Sequence, residues 1–182
     1  MTKLIILDRD GVINQDSDQF IKSVHEFVLL PNSVSAIVAL KKAGYTVAIA
    51  TNQSGIARGL YRRADLHAMH MKLQSQLMAQ GAAVDWIAYS PYLHETPCRK
   101  PNAGMYRSIA WRFGLPSLTG VPVVGDSWRD LAAALSVGSH PILVKTGKGA
   151  QTAEQQAEVL ANASIPVVED LAAAVESLGV SL

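Results

Sequence analysis

Two aspartates one residue apart, Asp8 and Asp10, follow directly on the apolar run Leu4-Ile5-Ile6-Leu7 and precede Gly11. Four apolar residues in a row, two of them β-branched, suit a strand buried on both faces. An acidic pair at the carboxyl end of such a strand either holds a cation or does chemistry, because unpaired buried charge is costly. For this segment alone, an ordinary strand exit with two solvated aspartates is an equal reading. Three further polar clusters resemble it: Thr51/Asn52, Arg99/Lys100 and Asp126/Asp130, each at a strand end or in the loop after one. In a doubly wound sheet the carboxyl ends of parallel strands share one edge, so four clusters distant in sequence should meet around one crevice. Asp8, Asp10 and Asp126 would repel one another without a hard cation, and they offer the oxygen ligands that Mg²⁺ takes. With Lys100 adding positive charge and Thr51 and Asn52 adding hydrogen bonds, the set suits a phosphoryl group.

The elements that must position these residues can be read from periodicity and breakers. Val12 to Phe27, with Asp16-Ser17-Asp18-Gln19 at its centre, reads as a loop or small flap. Asn32 or Ser33 caps a helix carrying Val34, Ile37 and Val38, which Gly44 ends. Tyr45 to Ala50 is a second strand. Arg62 to Gln80 is the longest helix, with Leu66, Met69, Leu73 and Leu77 on its apolar face. His67 and His70 on it have no third ligand nearby and read as partly exposed rather than metal-binding. Strands at 84–89, 121–124 and 141–144 alternate with helices at 102–113 and from Trp128 to a stop at Gly138. Thr152 and Gln155 have capping-box spacing for another helix, 165–168 is a weak edge strand, and Asp170 caps a last helix closed by Gly179. Alternation over the whole length means right-handed βαβ units: an α/β, doubly wound, Rossmann-like parallel sheet with helices on both faces. No linker or repeat divides residues 1–182, so one domain is expected, and no insertion is long enough for a separate cap domain.

Composition narrows the function classes. At 49% hydrophobic and 17% charged, the chain is a folded rather than a disordered one. A formal net charge of +1 gives no electrostatic case for nucleic acid or a membrane surface as partner. Cys98 is the single cysteine, which excludes an internal disulfide framework and fits a reducing compartment. With no signal-peptide pattern and no membrane-length apolar run, the expected compartment is the cytoplasm. Nothing demands more than a monomer.

The run Asp8-Arg9-Asp10-Gly11-Val12 resembles the first motif of the haloacid dehalogenase superfamily of phosphotransferases, and Thr51, Lys100 and Gly125-Asp126 match its other three in order. The likeness spans the chain. More narrowly, Thr-Asn-Gln-Ser-Gly-Ile-Ala-Arg-Gly at 51–59 and Cys-Arg-Lys-Pro at 98–101 resemble the heptose 1,7-bisphosphate 7-phosphatase family, in the histidinol-phosphatase-like branch. That resemblance implies phosphate-monoester hydrolysis through an aspartyl-phosphate, in the synthesis of ADP-heptose for lipopolysaccharide core. Asp8 would be the nucleophile and Asp10 the general acid and base. Thr51 would hold a phosphate oxygen, and Lys100 would neutralise the phosphate and orient Asp8. Asp8, the Asp10 main-chain carbonyl and Asp126 would bind Mg²⁺. Asp16, Ser17, Asp18 and Gln19 would contact the sugar, and Asn52, Gln53 and Ser54 the substrate. Arg99 beside Lys100 would take the second phosphate of a bisphosphate. The competing structural readings make Asp126 a helix N-cap, Lys100 a solvated loop lysine and Arg99 a surface arginine.

One departure is clear. The family's zinc loop, Cys-x-His then Cys-x-Cys before Arg-Lys-Pro, reads here as Ser90, Tyr92, Thr96 and Cys98. His94 and Cys98 do not complete a tetrahedral site, so no structural zinc is expected, and packing by Tyr92, Leu93 and two prolines should replace it. Rival readings are a histidinol-phosphate phosphatase, a DNA 3′-phosphatase, a phospho-accepting receiver-like signalling domain and a catalytically silent binding protein. Asp10 argues against the receiver. The neutral charge and absent basic aromatic groove argue against DNA.

Overall fold

A computed structural model describes residues 3–182. Strand and helix alternate as β1 (Lys3–Leu7), α1 (Ser33–Lys42), β2 (Tyr45–Asn52), α2 (Arg63–Met78), β3 (Trp86–Ser90), α3 (Gly104–Arg112) and β4 (Pro122–Gly125). They continue as α4 (Trp128–Leu135), β5 (His140–Val144), α5 (Gly149–Gln155), α6 (Ala157–Asn162), β6 (Val167–Val168) and α7 (Leu171–Ser177). The six strands form one sheet in the order β3-β2-β1-β4-β5-β6, every pairing parallel.

Side-chain alternation divides this sheet between two cores. Ile5, Leu7, Val47, Ile49 and Val124 face the layer built by α1, α2 and α7. Leu4, Ile6, Ala48, Ala50 and Val123 face α3 and α4. A strand covered on both sides must be apolar at every position, and Leu4 to Leu7 are all buried. Because β2 and β3 run outward from one side of β1 while β4 to β6 run outward from the other, the strand order reverses between β1 and β4. Helices on opposite faces leave a crevice at that point, at the carboxyl ends of the strands. Asp8 leaves β1 there, with its amide bonded to the Val124 carbonyl of β4 at 2.9 Å. Asp126 leaves β4 one position past the sheet.

Several local expectations are corrected. Asn32 occupies the cap position of α1 with φ 62° and makes no side-chain cap bond, while Ser33 lies inside the helix and donates to the Leu30 carbonyl. Thr152 does not open a helix: α5 begins at Gly149, and the Thr152 hydroxyl donates to the Asp126 carbonyl at 2.9 Å. The third strand runs from Trp86 to Ser90, because Val84 is held by the Gln74 side chain amide on both its N–H and C=O. Asp170 caps α7 as expected, accepting from the Ala173 amide. His70 is buried rather than partly exposed, while its neighbour His67 is on the surface. The loop after β1 keeps its irregular backbone, yet Val12, Ile13, Ile21 and Phe27 from it belong to the α1–α2–α7 core.

Candidate active site

The four polar clusters line one cavity of about 290 Å³ at the β1–β4 switch point. Asp8, Asp10, Thr51, Asn52, Arg99, Lys100, Asp126 and Asp130 all reach it. At its floor the Asp8 Oδ1 accepts from the Arg9 amide at 2.7 Å and pairs with Lys100 Nζ at 2.9 Å. The same ammonium pairs with Asp130 at 2.5 Å and donates to the Ala50 carbonyl at 2.6 Å. Lys100 is thus no solvated lysine; it is 2% exposed. Burial alone would lower its pKa, but Asp130 and Asp8 outweigh burial and hold it above the ordinary lysine range. Its loop is fixed by Asn52, whose side chain donates to the Lys100 carbonyl at 3.0 Å and accepts from the Lys100 amide at 3.1 Å.

Asp126 is not the cap of α4. Ser127 is, closing a reciprocal pair with Asp130, and Asp126 instead accepts the Lys148 amide at 2.8 Å. The backbones of two loops press on its carboxylate: a Cβ at Gly11 (φ +80°) or Gly147 (φ +58°) would lie 2.1 or 2.2 Å from Asp126 Oδ2, so both positions require glycine. The carboxylates of Asp8, Asp126 and Asp130 place oxygens within 4.8 Å of one another. Burial, then Asp130, raises Asp8 to about 7; burial, then Asp130 and Asp8, raises Asp126 to about 8. Lys100 supplies one charge against three, so the donor set is one that a hard divalent cation completes. Asp130 is engaged by Lys100 and Ser127, which leaves Asp8 and Asp126 as the carboxylates available to an ion.

The Asp10 carboxylate is not in that group. It turns toward Arg9, Asn14 and Gln53, so the Asp10 side chain offers the cluster no ligand. Its desolvation is outweighed by Arg9 and by hydrogen bonds from Asn14, Arg9 and Gln53, which hold its pKa below the usual carboxylate range.

Toward the mouth, Asp16, Ser17 and Asp18 line the cavity, as do Gln53 and Ser54. Gln19 does not; it lies exposed outside, its carbonyl accepting from Lys22 Nζ at 2.8 Å. Asp16 and Asp18 pair with Lys148 at 3.3 and 3.4 Å, which ties the flap to the loop after β5. Arg58, Arg99 and Arg129 share the rim, and among the described residues no carboxylate pairs with any of them. Partial burial, then Arg129 and Arg58, lowers the Arg99 pKa. Arg99 also donates to the Tyr92 carbonyl at 2.9 Å.

At the four ligand positions the loop before Arg99 offers one thiol and three hydroxyls where zinc would need a tetrahedral sulfur and nitrogen set, so its residues do not fit that ion. Hydrogen bonds hold it instead of the expected packing: Gly104 donates to the Pro97 carbonyl at 2.8 Å and Asn102 to the Thr96 carbonyl at 3.0 Å, while Tyr92 is half exposed.

Arg9, Tyr61, Arg58, Arg129 and Lys148 were not assigned to the site from sequence, and Asp130 was placed at the crevice beside Asp126 without a role of its own. Asp130 had a signal, one helical turn after Asp126. Arg58 lies inside the 51–59 stretch. Tyr61 and Lys148 had none, since tertiary contact alone brings them in.

Two family models match the chain, a HAD-hydrolase-like model over residues 97–174 and a polynucleotide kinase 3 phosphatase model over residues 3–119. A D-glycero-beta-D-manno-heptose-1,7-bisphosphate 7-phosphatase from Pseudomonas putida is 56% identical over 155 residues, covering 84% of this chain and 88% of the relative. The Bordetella bronchiseptica enzyme of that name is 50% identical over 97% of both chains. The crystal structure of the B. bronchiseptica phosphatase, complexed with magnesium and phosphate, matches with a TM-score of 0.91 over 97% of this chain and 98% of that one. The corresponding phosphatase from Burkholderia thailandensis is 40% identical, with a TM-score of 0.70 over 97% and 98%. Identity this high over nearly the whole length of both partners leaves one conclusion: the chain belongs to the D-glycero-beta-D-manno-heptose-1,7-bisphosphate 7-phosphatase family of HAD-like hydrolases.

Proposed function

We infer that this chain is a magnesium-dependent phosphoric monoester hydrolase that removes the C7 phosphate of D-glycero-beta-D-manno-heptose 1,7-bisphosphate through an aspartyl-phosphate on Asp8. The observation that carries this reading is the meeting of Asp8, its 2.9 Å partner Lys100, and Asp126 in the switch-point cavity. The Arg9 amide and Lys100 both hold Asp8 Oδ1, which fixes the carboxylate that attacks phosphorus. Asp10 gives a proton to the departing sugar oxygen, then takes one from the water that frees Asp8. Thr51, buried at the cavity wall, donates to a phosphate oxygen. Asp8, Asp126 and the Asp10 carbonyl would hold Mg²⁺. When bound, the ion offsets repulsion between an anionic nucleophile and an anionic substrate.

The unpaired rim arginines support a bisphosphate over a monophosphate, since Arg58 and Arg129 add to Arg99 a site for a second anion. Asp16, Ser17 and Asp18 face the sugar between the two phosphates; Gln19 has no place in that role. The same reading makes the chain a single-domain, monomeric cytoplasmic enzyme whose partner is a small sugar bisphosphate, with neither nucleic acid nor membrane. A net charge of +1 and the absence, among the described residues, of any helix long and apolar enough to cross a membrane support it.

A turnover panel with Mg²⁺ tests the substrate: the heptose bisphosphate, histidinol phosphate, fructose 1,6-bisphosphate and a 3′-phosphorylated oligonucleotide. The heptose bisphosphate should give the highest kcat/KM, and a better substrate among the other three would overturn the assignment. Asp8→Asn should abolish turnover with the fold intact; substantial residual activity would refute the nucleophile.

A further inference from the structure

Arg9 lies between the two aspartates of the first motif, yet its side chain leaves the cavity and enters the core. At 1% exposed it heads the fully buried large side chains. Its Nε and Nη2 donate to Asp10 Oδ1 at 3.1 and 2.7 Å. Its Nη1 lies 3.5 Å from His70 Nε2, and the guanidinium sits 5.3 Å over the Phe27 ring. Asn14 donates to the same Oδ1 at 2.9 Å. On the other side, Gln53 Nε2 donates to Asp10 Oδ2 at 2.8 Å and to the Thr51 hydroxyl at 2.9 Å. The Tyr61 hydroxyl donates to Gln53 Oε1 at 2.5 Å. The Asp10 carboxylate decides which way the amide faces, because a flipped Gln53 would set its oxygen against it, and the Tyr61 hydroxyl holds the amide oxygen that then points away. The Tyr61 ring has room only because residue 55 is glycine: a Cβ there would lie 2.1 Å from the ring.

We propose that Arg9 from the core side and Tyr61 through Gln53 are positioning residues, a two-sided clamp that fixes the Asp10 carboxylate for proton transfer to the leaving group. Burying a guanidinium is expensive, and an apolar side chain would fill the same space at lower cost. What the guanidinium adds is two N–H donors converging on one oxygen, which fixes Oδ1 while Gln53 holds Oδ2 from the other side. The clamp also selects an oxygen. Three N–H donors occupy Oδ1, whereas Oδ2 receives only Gln53 and keeps a lone pair for a proton. The Asp10 side chain remains 21% exposed and lines the cavity, which a purely structural ion pair would have no reason to do. In the first displacement Asp10 reacts from its protonated form, the minor one beside Arg9: an Asp8 oxygen bonds to phosphorus as the phosphorus–sugar oxygen bond breaks, and the proton passes from Asp10 Oδ2 to that sugar oxygen. In the second, Asp10 Oδ2 takes a proton from water as the water oxygen bonds to phosphorus and the Asp8–phosphorus bond breaks. Because one Gln53 amide spans Asp10 and Thr51, the acid is held in register with the hydroxyl that grips the phosphate.

This inference rests on the acid/base reading of Asp10 given above, and the leaving group separates the two. A p-nitrophenolate departs without a proton, while an alkoxide needs one. Single-turnover release of the alcohol is measured for p-nitrophenyl phosphate and for an alkyl phosphate (the heptose bisphosphate or glycerol phosphate) in wild type, Asp10→Asn, Arg9→Lys and Tyr61→Phe, with folding checked by circular dichroism. Arg9→Lys and Tyr61→Phe should lose roughly tenfold or more on the alkyl ester and less than about threefold on the aryl ester, with little change in KM. Equal loss on both esters, or no loss on either, in any folded variant of the pair overturns the clamp. Should Arg9→Lys fail to fold, Tyr61→Phe, which removes one oxygen, decides alone. If Asp10→Asn is itself unselective, the acid/base reading falls. If Asp10→Asn is selective and the other two are not, only the clamp does.

Discussion

Filling the carboxylate cluster with a divalent cation should stabilise the protein, and by an amount that depends steeply on pH. Asp8 and Asp126, raised first by burial and then by Asp130 to about 7 and about 8 from an ordinary 3.8, keep protons that the unfolded chain has lost. Between pH 3.8 and those values the folded state therefore binds more protons, and stability falls as pH rises through the window. A cation competes with those protons for the same oxygens. At pH 8 it displaces few, while at pH 6 it must displace up to two. With each pH unit below a pKa worth about 1.4 kcal/mol per proton, affinity should fall on the order of 10²- to 10³-fold from pH 8 to pH 6. At a Mg²⁺ concentration near 100 times the pH 8 Kd, binding contributes about 2.7 kcal/mol, and the same concentration at pH 6 contributes almost nothing. For a chain of this length that is a Tm gain of roughly 5–10 °C at pH 8. Thermal unfolding with and without Mg²⁺ at pH 6 and pH 8, at constant ionic strength, reads it directly. Asp126→Asn should lose the gain and, without metal at pH 8, be more stable than wild type. Equal Mg²⁺-induced shifts at both pH values, or a wild-type gain in Asp126→Asn, would refute the cluster as the cation site.

Two further outcomes follow from the rim and from the core. Arg58→Ser and Arg129→Ser should each raise KM for a sugar bisphosphate roughly tenfold, the weak end of a charged hydrogen bond because both side chains are exposed, with little effect on a monophosphate of the same sugar. An equal effect on both substrates would remove these arginines from a second-anion site. His70, pushed down to about 3 first by burial and then by Arg9, stays neutral in the fold below the 6.5 at which the unfolded chain takes up its proton. Stability should therefore fall with pH between about 6.5 and 3, at up to about 1.4 kcal/mol per unit. The difference in Tm between wild type and His70→Gln, followed from pH 7 to pH 4.5, should show that slope; parallel profiles would contradict it.

The fold was legible because burial on both faces of a parallel sheet writes itself as unbroken apolar runs. Leu4 to Leu7 and Tyr45 to Ala50 could be nothing else, and the polar residues ending them had to share an edge. Asp8, Asp10, Thr51, Asn52, Lys100 and Asp126 were legible for the same reason, each tied to a strand end or the loop after it. Helix starts were read less well. Ser33 and Thr152 have cap chemistry but turn their hydroxyls to other carbonyls, a choice made by the loops packed beside them. Gln19 was grouped with Asp16 to Asp18 by adjacency, and a turn bonded from the Gln19 amide to the Ser17 hydroxyl directs it away.

By itself, then, the order of residues determined a parallel sheet, its switch point and the set of groups delivered there, since strand period, breakers and motif spacing are local properties of the chain. Only the tertiary structure decided which partner each charge takes. Lys100 reaches across the crevice to Asp8 and Asp130, Arg9 turns inward to grip Asp10 against His70, and Tyr61 aims Gln53 from eight residues away. Those choices depend on distances between elements far apart in sequence and on which side chains lose their water, and neither is written in any short stretch of it.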